Sequence, residues 1–501
     1  MISWLFLSFI FGYVASTDSF NEYLTTNPLQ DGRVDVGFNF TITDSEISPH
    51  TNLFPLPLVN LLRSPEIDID ELHLSLSAGI WDYSKWHYPH FPQLGSSGIE
   101  LWVSHNSDSS FLPSTPTKWS RLVHTLSGMF CASFSTSDNA HQVELKGKTW
   151  THAQIASQLP CTENLTPFIA LLPCKSSAGL GQLLNPHKLF DADYHSLGLS
   201  LYRTDNGARV EIMIEAVMNP TRVNQQRQYS TKGMLDRSVN SPCPLADSSK
   251  VYFNLPPTPQ QGHDEDLWVV LPEDHDGEVK DGTVDLDIMQ SVKPLALSVV
   301  YPFQEIFTYP KSITNPPLLI RRDQIAGPIE ETMLVRTVVE NTEDNDRQVS
   351  YFHSIPWQIE PWLHTFTING GLNDTIYKHS LGEGKKDPYK LQVNATIPAH
   401  SQLTIECLYQ RQFLQYADYA PDIHRGVDIP PGVLLFIRDD QTRFQYTTPL
   451  LIDLATPDFS MPYNVIIITS TVIALFFGSV YNILVKEFQL IPRKKEKAKT
   501  D

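Results

Sequence analysis

Between residues 71 and 81 the chain reads ELHLSLSAGIW, and every second side chain, Leu72, Leu74 and Leu76, is apolar. ARVEIMIEAVM repeats the pattern with Val210, Ile212, Ile214 and Ala216, and YKLQVNATIPAHSQLTIECLYQ shows it twice, on either side of a Pro-Ala-His-Ser turn. Successive side chains of a strand point to opposite faces, so a period of two predicts half-buried strands of an antiparallel sheet. KWSRLVHTLSGMFCASF has another rhythm. Trp119, Leu122, Val123, Leu126 and Phe130 recur at helical spacing and predict a helix packed on the N-terminal sheet. No repeat with a period of about 20 to 50 residues is visible, which argues against a propeller.

Two apolar runs lie at the ends of the chain. WLFLSFIFGYVA, residues 4–15, has the length of a signal-peptide core, and Val14 and Ser16 put small side chains at a cleavage point, so residues 1–16 are expected to be removed. VIIITSTVIALFFGSVYNILV, residues 465–485, contains no charge. Twenty-one helical residues span about 31 Å, the thickness of a bilayer core, so residues 463–485 predict a transmembrane helix. The tail 486–501 carries six Lys or Arg against three acids and should stay cytoplasmic, which makes the chain a single-pass type I membrane protein. A removable GPI-attachment signal would end in its hydrophobic stretch, whereas sixteen mostly polar residues follow this one. Lys497 and Lys499 resemble a dilysine retrieval signal, which would return the protein to the endoplasmic reticulum.

The fold class expected is mainly β (α+β). An N-terminal lumenal β-rich domain with helices covers residues 17–254, an acidic Pro-rich linker 255–282, and a C-terminal β-sandwich-like domain 283–462. The 37 prolines favour many short strands joined by turns. A net charge of −19, despite the basic tail, makes the lumenal part strongly acidic and excludes nucleic acid as a partner. Sequons at Asn39, Asn164, Asn373 and Asn394 all fall on the lumenal side.

Candidate chemistry is sparse. HYPH offers His87 and His90, but zinc-peptidase histidines sit at i and i+4 on a helix beside a glutamate, and this segment has neither feature. Asp68, Asp70 and Glu71 cluster before a strand without being marked as an acid and base pair. There is no Gly-x-Ser-x-Gly elbow, and GLGQLL is too short a glycine pattern for a phosphate loop. No catalytic residue, metal site or cofactor is therefore expected. A lumenal metallohydrolase using His87, His90 and the nearby acids is one rival reading. A cargo receptor or adhesion protein is another.

The five cysteines carry more information. Cys131 and Cys407 lie in apolar surroundings and read as buried small hydrophobes. Cys174 and Cys243 sit beside prolines in loop-like sequence and could close an internal disulfide. That pairing leaves Cys161 over, in a turn beside the Asn164 sequon, and an exposed thiol in an oxidising compartment is expected to bond to another chain. A different internal pairing or a shielded free thiol would also satisfy the count.

Several stretches together resemble the PIG-T family of GPI transamidase subunits: ELHLSLSAGIW, GIELWV, LSGMFCASF, CTENLTPF, LLPCKSSAGL, LFDADYHSLGL, CPLADSSKVY and TPDFSMPYNV. They span nearly the whole chain in the family's order. The resemblance implies a noncatalytic subunit of an endoplasmic reticulum complex that replaces a C-terminal propeptide with a GPI lipid. In that family a caspase-like catalytic subunit performs the transfer and is disulfide-linked through the CTENLTP cysteine, here Cys161. Other membrane subunits are implied as partners. Asn464, a polar amide at headgroup depth, becomes a candidate contact for the GPI lipid.

Overall fold

The computed structural model describes residues 18–45, 53–64, 69–104, 116–132, 141–145, 148–156, 158–204, 207–224, 228–255, 269–271, 277–280, 282–290, 295, 297–300, 318–328, 331–372, 375–380, 388–415, 418–419, 426–438, 441–454 and 460–487. The expected signal segment, Asp68, Asn373, Lys497 and Lys499 lie outside the described residues.

Among these, eleven strands form one sheet. Their order is Glu278–Lys280, Thr283–Asp287, Ser248–Asn254, Ser19–Pro28, Val34–Asp44, Ala208–Met218, Tyr194–Arg203, Glu71–Ala78, Gly98–Ser104, Lys148–Ile155 and His141–Leu145. The neighbours are antiparallel except Ser19–Pro28 and Ser248–Asn254, which run parallel from the pair Asn21 and Ser248. The predicted alternation supplies the first face: Val36, Phe38, Phe40, Leu72, Leu74, Leu76, Val210, Ile212 and Ile214 form one apolar core. Three helices cover it, Leu56–Arg63 through Leu58 and Leu62, Pro116–Phe130 through Leu122, Leu126 and Phe130, and Thr162–Leu171 through Leu165 and Phe168.

The second face departs from expectation. The alternation predicts polar side chains in solvent, yet His73, Ser75, Ser77, Glu100, His152, Ser196, Ser200 and Glu215 are all buried. Buried polar groups need partners, and here many find them across strands. His73 Nδ1 lies 2.8 Å from Ser200 Oγ, Ser77 Oγ 2.6 Å from Ser196 Oγ, and His152 Nε2 2.8 Å from Glu100 Oε1. A second β layer covers this face. Trp102 and Trp150 of the sheet pack with Phe352, Val433, Leu435, Phe444 and Tyr446, and the Tyr446 amide donates to the Tyr83 hydroxyl at 3.0 Å.

That layer is the expected sandwich. Four strands, in the order Leu318–Ala326, Thr332–Asn341, Gln402–Arg411 and Ile359–Asn369, face five, in the order Ile376–Ser380, Tyr389–Ile397, Arg347–Ile355, Val433–Arg438 and Gln441–Tyr446. Val339, Leu403 and Ile405 from one sheet meet Tyr351, Val393, Leu434 and Phe436 from the other. The two strands around the Pro-Ala-His-Ser turn belong to different sheets, so the turn is a crossover between layers.

The expected boundary after residue 282 needs correction. Glu278–Lys280 and Thr283–Asp287 complete the edge of the N-terminal sheet, and Val269–Leu271 pairs with Ser298–Val300, which pairs with Tyr229–Ser230. The acidic, proline-rich composition concealed short strands that pair with the first sheet, and among the described residues the first strand of the sandwich starts at Leu318.

The expected Cys174–Cys243 disulfide is present, with Cα atoms 5.9 Å apart and a sequence separation of 69. It ties the loop after the Thr162–Leu171 helix to the segment that enters Ser248–Asn254. Gly179 makes the close approach possible: its φ is +69°, and an added Cβ would fall 2.8 Å from Cys243 Cβ and 2.4 Å from Glu22 Oε1. Glu22 instead accepts from the Leu180 amide at 3.0 Å and from Ser249 Oγ at 2.7 Å.

Residues 413–426 and 453–501 form a second unit. Its helix, Ser460–Val485, contains Tyr463–Val485, 23 residues that are long and apolar enough to cross a membrane. The hydroxyls of Thr469 and Thr471 donate to the carbonyls of Val465 and Ile467, both at 2.7 Å, so these polar groups are satisfied within the helix, as a bilayer requires.

The buried second face has a pH signature. Burial, followed by the charge of Asp35, pushes the Glu215 carboxyl well above its ordinary range, and burial raises Asp35 to about 7. Between the ordinary carboxylate range and these raised values the native chain holds protons that the unfolded chain has lost, so stability falls as pH rises through that window. Glu215→Gln keeps an oxygen for the His90 amide, which donates to Glu215 Oε1 at 2.7 Å, and removes the charge. The expected outcome is a variant whose melting temperature exceeds wild type by more at pH 8 than at pH 5. Parallel melting-temperature profiles in detergent would contradict it.

Candidate functional site

The Thr162–Leu171 helix begins at an exposed cysteine. Cys161 is its N-cap, with extended backbone at φ −117° and ψ 170°. The first amides of a helix lack intrahelical partners, and the residue three positions on can reach back to the cap. Asn164 does so. Its Oδ1 accepts from the Cys161 amide at 2.7 Å and lies 3.2 Å from Cys161 Sγ.

The other end of the same amide group is also engaged. Asn164 Nδ2 donates to the carbonyls of Phe130 at 2.9 Å and Cys131 at 3.1 Å, at the C-terminal end of the Pro116–Phe130 helix, where carbonyls lack intrahelical donors. One side chain therefore joins two helix ends. Beneath it the rings of Phe130 and Phe168 lie 4.8 Å apart in the core, and Leu165 is buried beside them. Cys161, Thr162 and Glu163 remain exposed on this anchored corner.

The remaining cysteines divide as follows. Cys407 is buried as expected, and burial pushes its thiol up to about 11. Cys131 corrects the sequence reading: it is exposed. It follows the last residue of its helix with φ at +53°, while the amide of Ala132 donates to the Ser127 carbonyl at 3.3 Å to close the turn. Residue 131 lies past the apolar stripe, which ends at Phe130, and by helical spacing it belongs with the half-buried Ser127 and the exposed Gly128.

The sequons fare differently from one another. Asn164 is 4% exposed and Asn39 6%, the latter in a central strand with Nδ2 donating to the Tyr23 hydroxyl at 2.8 Å. The nitrogen that would carry a glycan is thus buried and hydrogen-bonded in both. Asn394 is half-buried, its Oδ1 accepting from Ser350 and Gln392.

The residues of the metallohydrolase reading do not converge. His87 Nε2 lies 2.9 Å from Gln30 Nε2, whereas the His90 ring sits edge-on against Phe91 and Tyr23. Glu71 is bonded to His73 at 2.8 Å. Among the described residues, no group of three or more His, Cys, Asp or Glu could hold a metal ion. A cleft of about 640 Å³ between Trp81, Trp86 and Leu319 contains charged side chains, but Asp31 pairs with Arg33 and Asp82 with Lys85, which leaves these four as neutralised pairs.

Asn164 as a clamp and Cys131 as an exposed thiol both escaped the sequence reading. The Cys-x-x-Asn spacing of a capping box is the signal the sequence carries for the clamp, and it overlaps the sequon.

The family described as Gpi16 subunit, GPI transamidase component, matches residues 4–231 and 215–501. The human GPI-anchor transamidase component PIGT is 30% identical, over 94% of this chain and 91% of its own length. The Schizosaccharomyces pombe GPI transamidase component PIG-T homolog is 28% identical, over 97% and 93%. The Saccharomyces cerevisiae GPI transamidase component GPI16 is 26% identical, over 93% and 88%. With matches that run almost end to end, the chain belongs to the Gpi16 family of GPI transamidase components.

Proposed function

We propose that this chain is the noncatalytic scaffold subunit of GPI transamidase, and that Cys161 holds the caspase-like catalytic subunit through an interchain disulfide. The observation that carries the reading is the presentation of Cys161. Its sulfur is exposed, Cys174 and Cys243 are already paired, and its backbone is fixed by a buried asparagine on two packed helices. A covalent bridge turns an encounter between subunits into an intramolecular one, so weak surrounding contacts suffice to keep the partner in place. Rigid anchoring of Cys161 then fixes where that partner sits.

The C-terminal helix anchors the scaffold in the endoplasmic reticulum membrane in type I orientation, with Lys497 and Lys499 in the cytoplasm as its retrieval signal. Other membrane subunits pack around it. Asn464, exposed on the helix, meets the GPI headgroup in this reading. Asn464→Leu should lower GPI attachment in an otherwise assembled complex, and normal attachment would remove that contact from the account.

Nonreducing electrophoresis of wild type should show a heavier band that reduces to this chain plus a protease-like subunit. Cys161→Ser should abolish the band while this chain still folds. Retention of the band would dismiss Cys161 as the bridge. Glycopeptide mapping should find Asn39 and Asn164 unmodified, with any glycans on Asn373 and Asn394 sensitive to endoglycosidase H. A glycan on Asn164 would contradict the clamp, and resistant glycans would contradict retention.

A further inference from the structure

Two of the three free thiols are exposed, and the same buried side chain touches both residues that carry them. The Oδ1 of Asn164 lies 3.2 Å from Cys161 Sγ, and its Nδ2 lies 3.1 Å from the carbonyl oxygen of Cys131. The end of one helix and the start of another thus bring Cys131 and Cys161 to a single corner, although 30 positions separate them in the chain. Cys131 holds a left-handed backbone there, a conformation that costs a non-glycine residue free energy and lifts its side chain clear of the core.

We propose that Cys131 is the exchange partner of Cys161: the two form an internal disulfide in the unassembled chain, and the catalytic subunit's cysteine displaces Cys131 when the complex forms. This rests on the reading of Cys161 as the intersubunit bridge. The internal bond forms at the expense of a low-molecular-weight disulfide such as oxidised glutathione, which takes up the two electrons and two protons that the two thiols give up. In the displacement the partner's thiolate attacks Cys161 Sγ. The Cys131–Cys161 bond breaks as the Cys161–partner bond forms, and Cys131 leaves as a thiolate that takes a proton from water. No electron is gained or lost in that step. The reverse step, attack by Cys131 on Cys161, releases the partner without an external reductant. Exposure of both residues leaves an attacking sulfur access to Cys161, and both lie at the corner that the Asn164 amide spans.

The account also says why a thiol destined for another chain survives an oxidising compartment. Held in an internal bond, Cys161 is protected from mispairing until the right thiol arrives, and Cys131 is restored as a free thiol afterwards.

The test uses the full-length chain in detergent, expressed with and without its catalytic partner. Free thiols are blocked with N-ethylmaleimide, and peptides are mapped without reduction. Expected for the unassembled chain is a Cys131–Cys161 linked peptide, and for the complex an alkylated Cys131 with Cys161 linked to the partner. In a glutathione buffer, Cys131→Ser should slow release of the partner about tenfold, because a neighbouring thiol acts at a higher effective concentration than a free one. Cys131→Ala serves as a second variant should serine disturb the turn. Alkylation of both cysteines in the unassembled chain, or an unchanged release rate in both variants, would overturn the proposal while leaving an observed Cys161 bridge intact. Absence of any Cys161 link to the partner in the wild-type complex would instead sink the reading beneath it.

Discussion

The amide group of Asn164 holds together the corner on which the functional reading depends. Its oxygen caps the helix that Cys161 opens, and its nitrogen takes up carbonyls left over at the end of the Pro116–Phe130 helix. Both helix ends would otherwise bury or strand polar groups, at about 1–3 kcal/mol for each one left unsatisfied. The clamp sits above the Phe130–Phe168 contact, so its position is set by the apolar core. A surface thiol on a free loop would sample many directions. Cys161 samples few, and a disulfide formed there fixes the placement of whatever it holds.

The same logic operates on a larger scale at the second face of the sheet. Eleven strands present an apolar face to three helices and a polar, hydrogen-bonded face to the sandwich. A purely apolar second face would pack in many registers, whereas paired His, Ser and Glu side chains accept few arrangements. Between the polar pairs, the Trp102 and Trp150 cluster supplies burial, and the Tyr83 and Tyr88 hydroxyls bond backbone amides of Tyr446 and Leu318. These contacts join the sheet and the sandwich, which suits the holding role proposed for the chain.

Much of this was legible in the sequence, for identifiable reasons. The Leu72–Leu76 and Val210–Ala216 alternations, the Trp119–Phe130 stripe and the 463–485 span all encode burial through spacing, and spacing survives in one dimension. What failed depended on contacts between distant segments. Polar alternation at His73, Ser75 and Ser77 looks the same whether it faces water or a second layer. The strands at 278–287 were hidden because their neighbour, Ser248–Asn254, supplies the pairing that their composition does not advertise. Cys131 has apolar neighbours in the sequence, and no residue pattern announced the left-handed turn at the end of its helix. At Asn164 two local codes overlap, an acceptor sequon and a helix cap, and the cap is seen only once the two helix ends are brought together over the Phe130–Phe168 contact.

The central claim is that Cys161 is displayed for another chain. Mass spectrometry of the native complex, digested after thiol blocking and without reduction, reads that directly. The account predicts the peptide containing Cys161 joined through its sulfur to a peptide of a protease-like subunit. Finding Cys161 in the assembled complex as an unlinked thiol, or joined to another cysteine of its own chain, would contradict it.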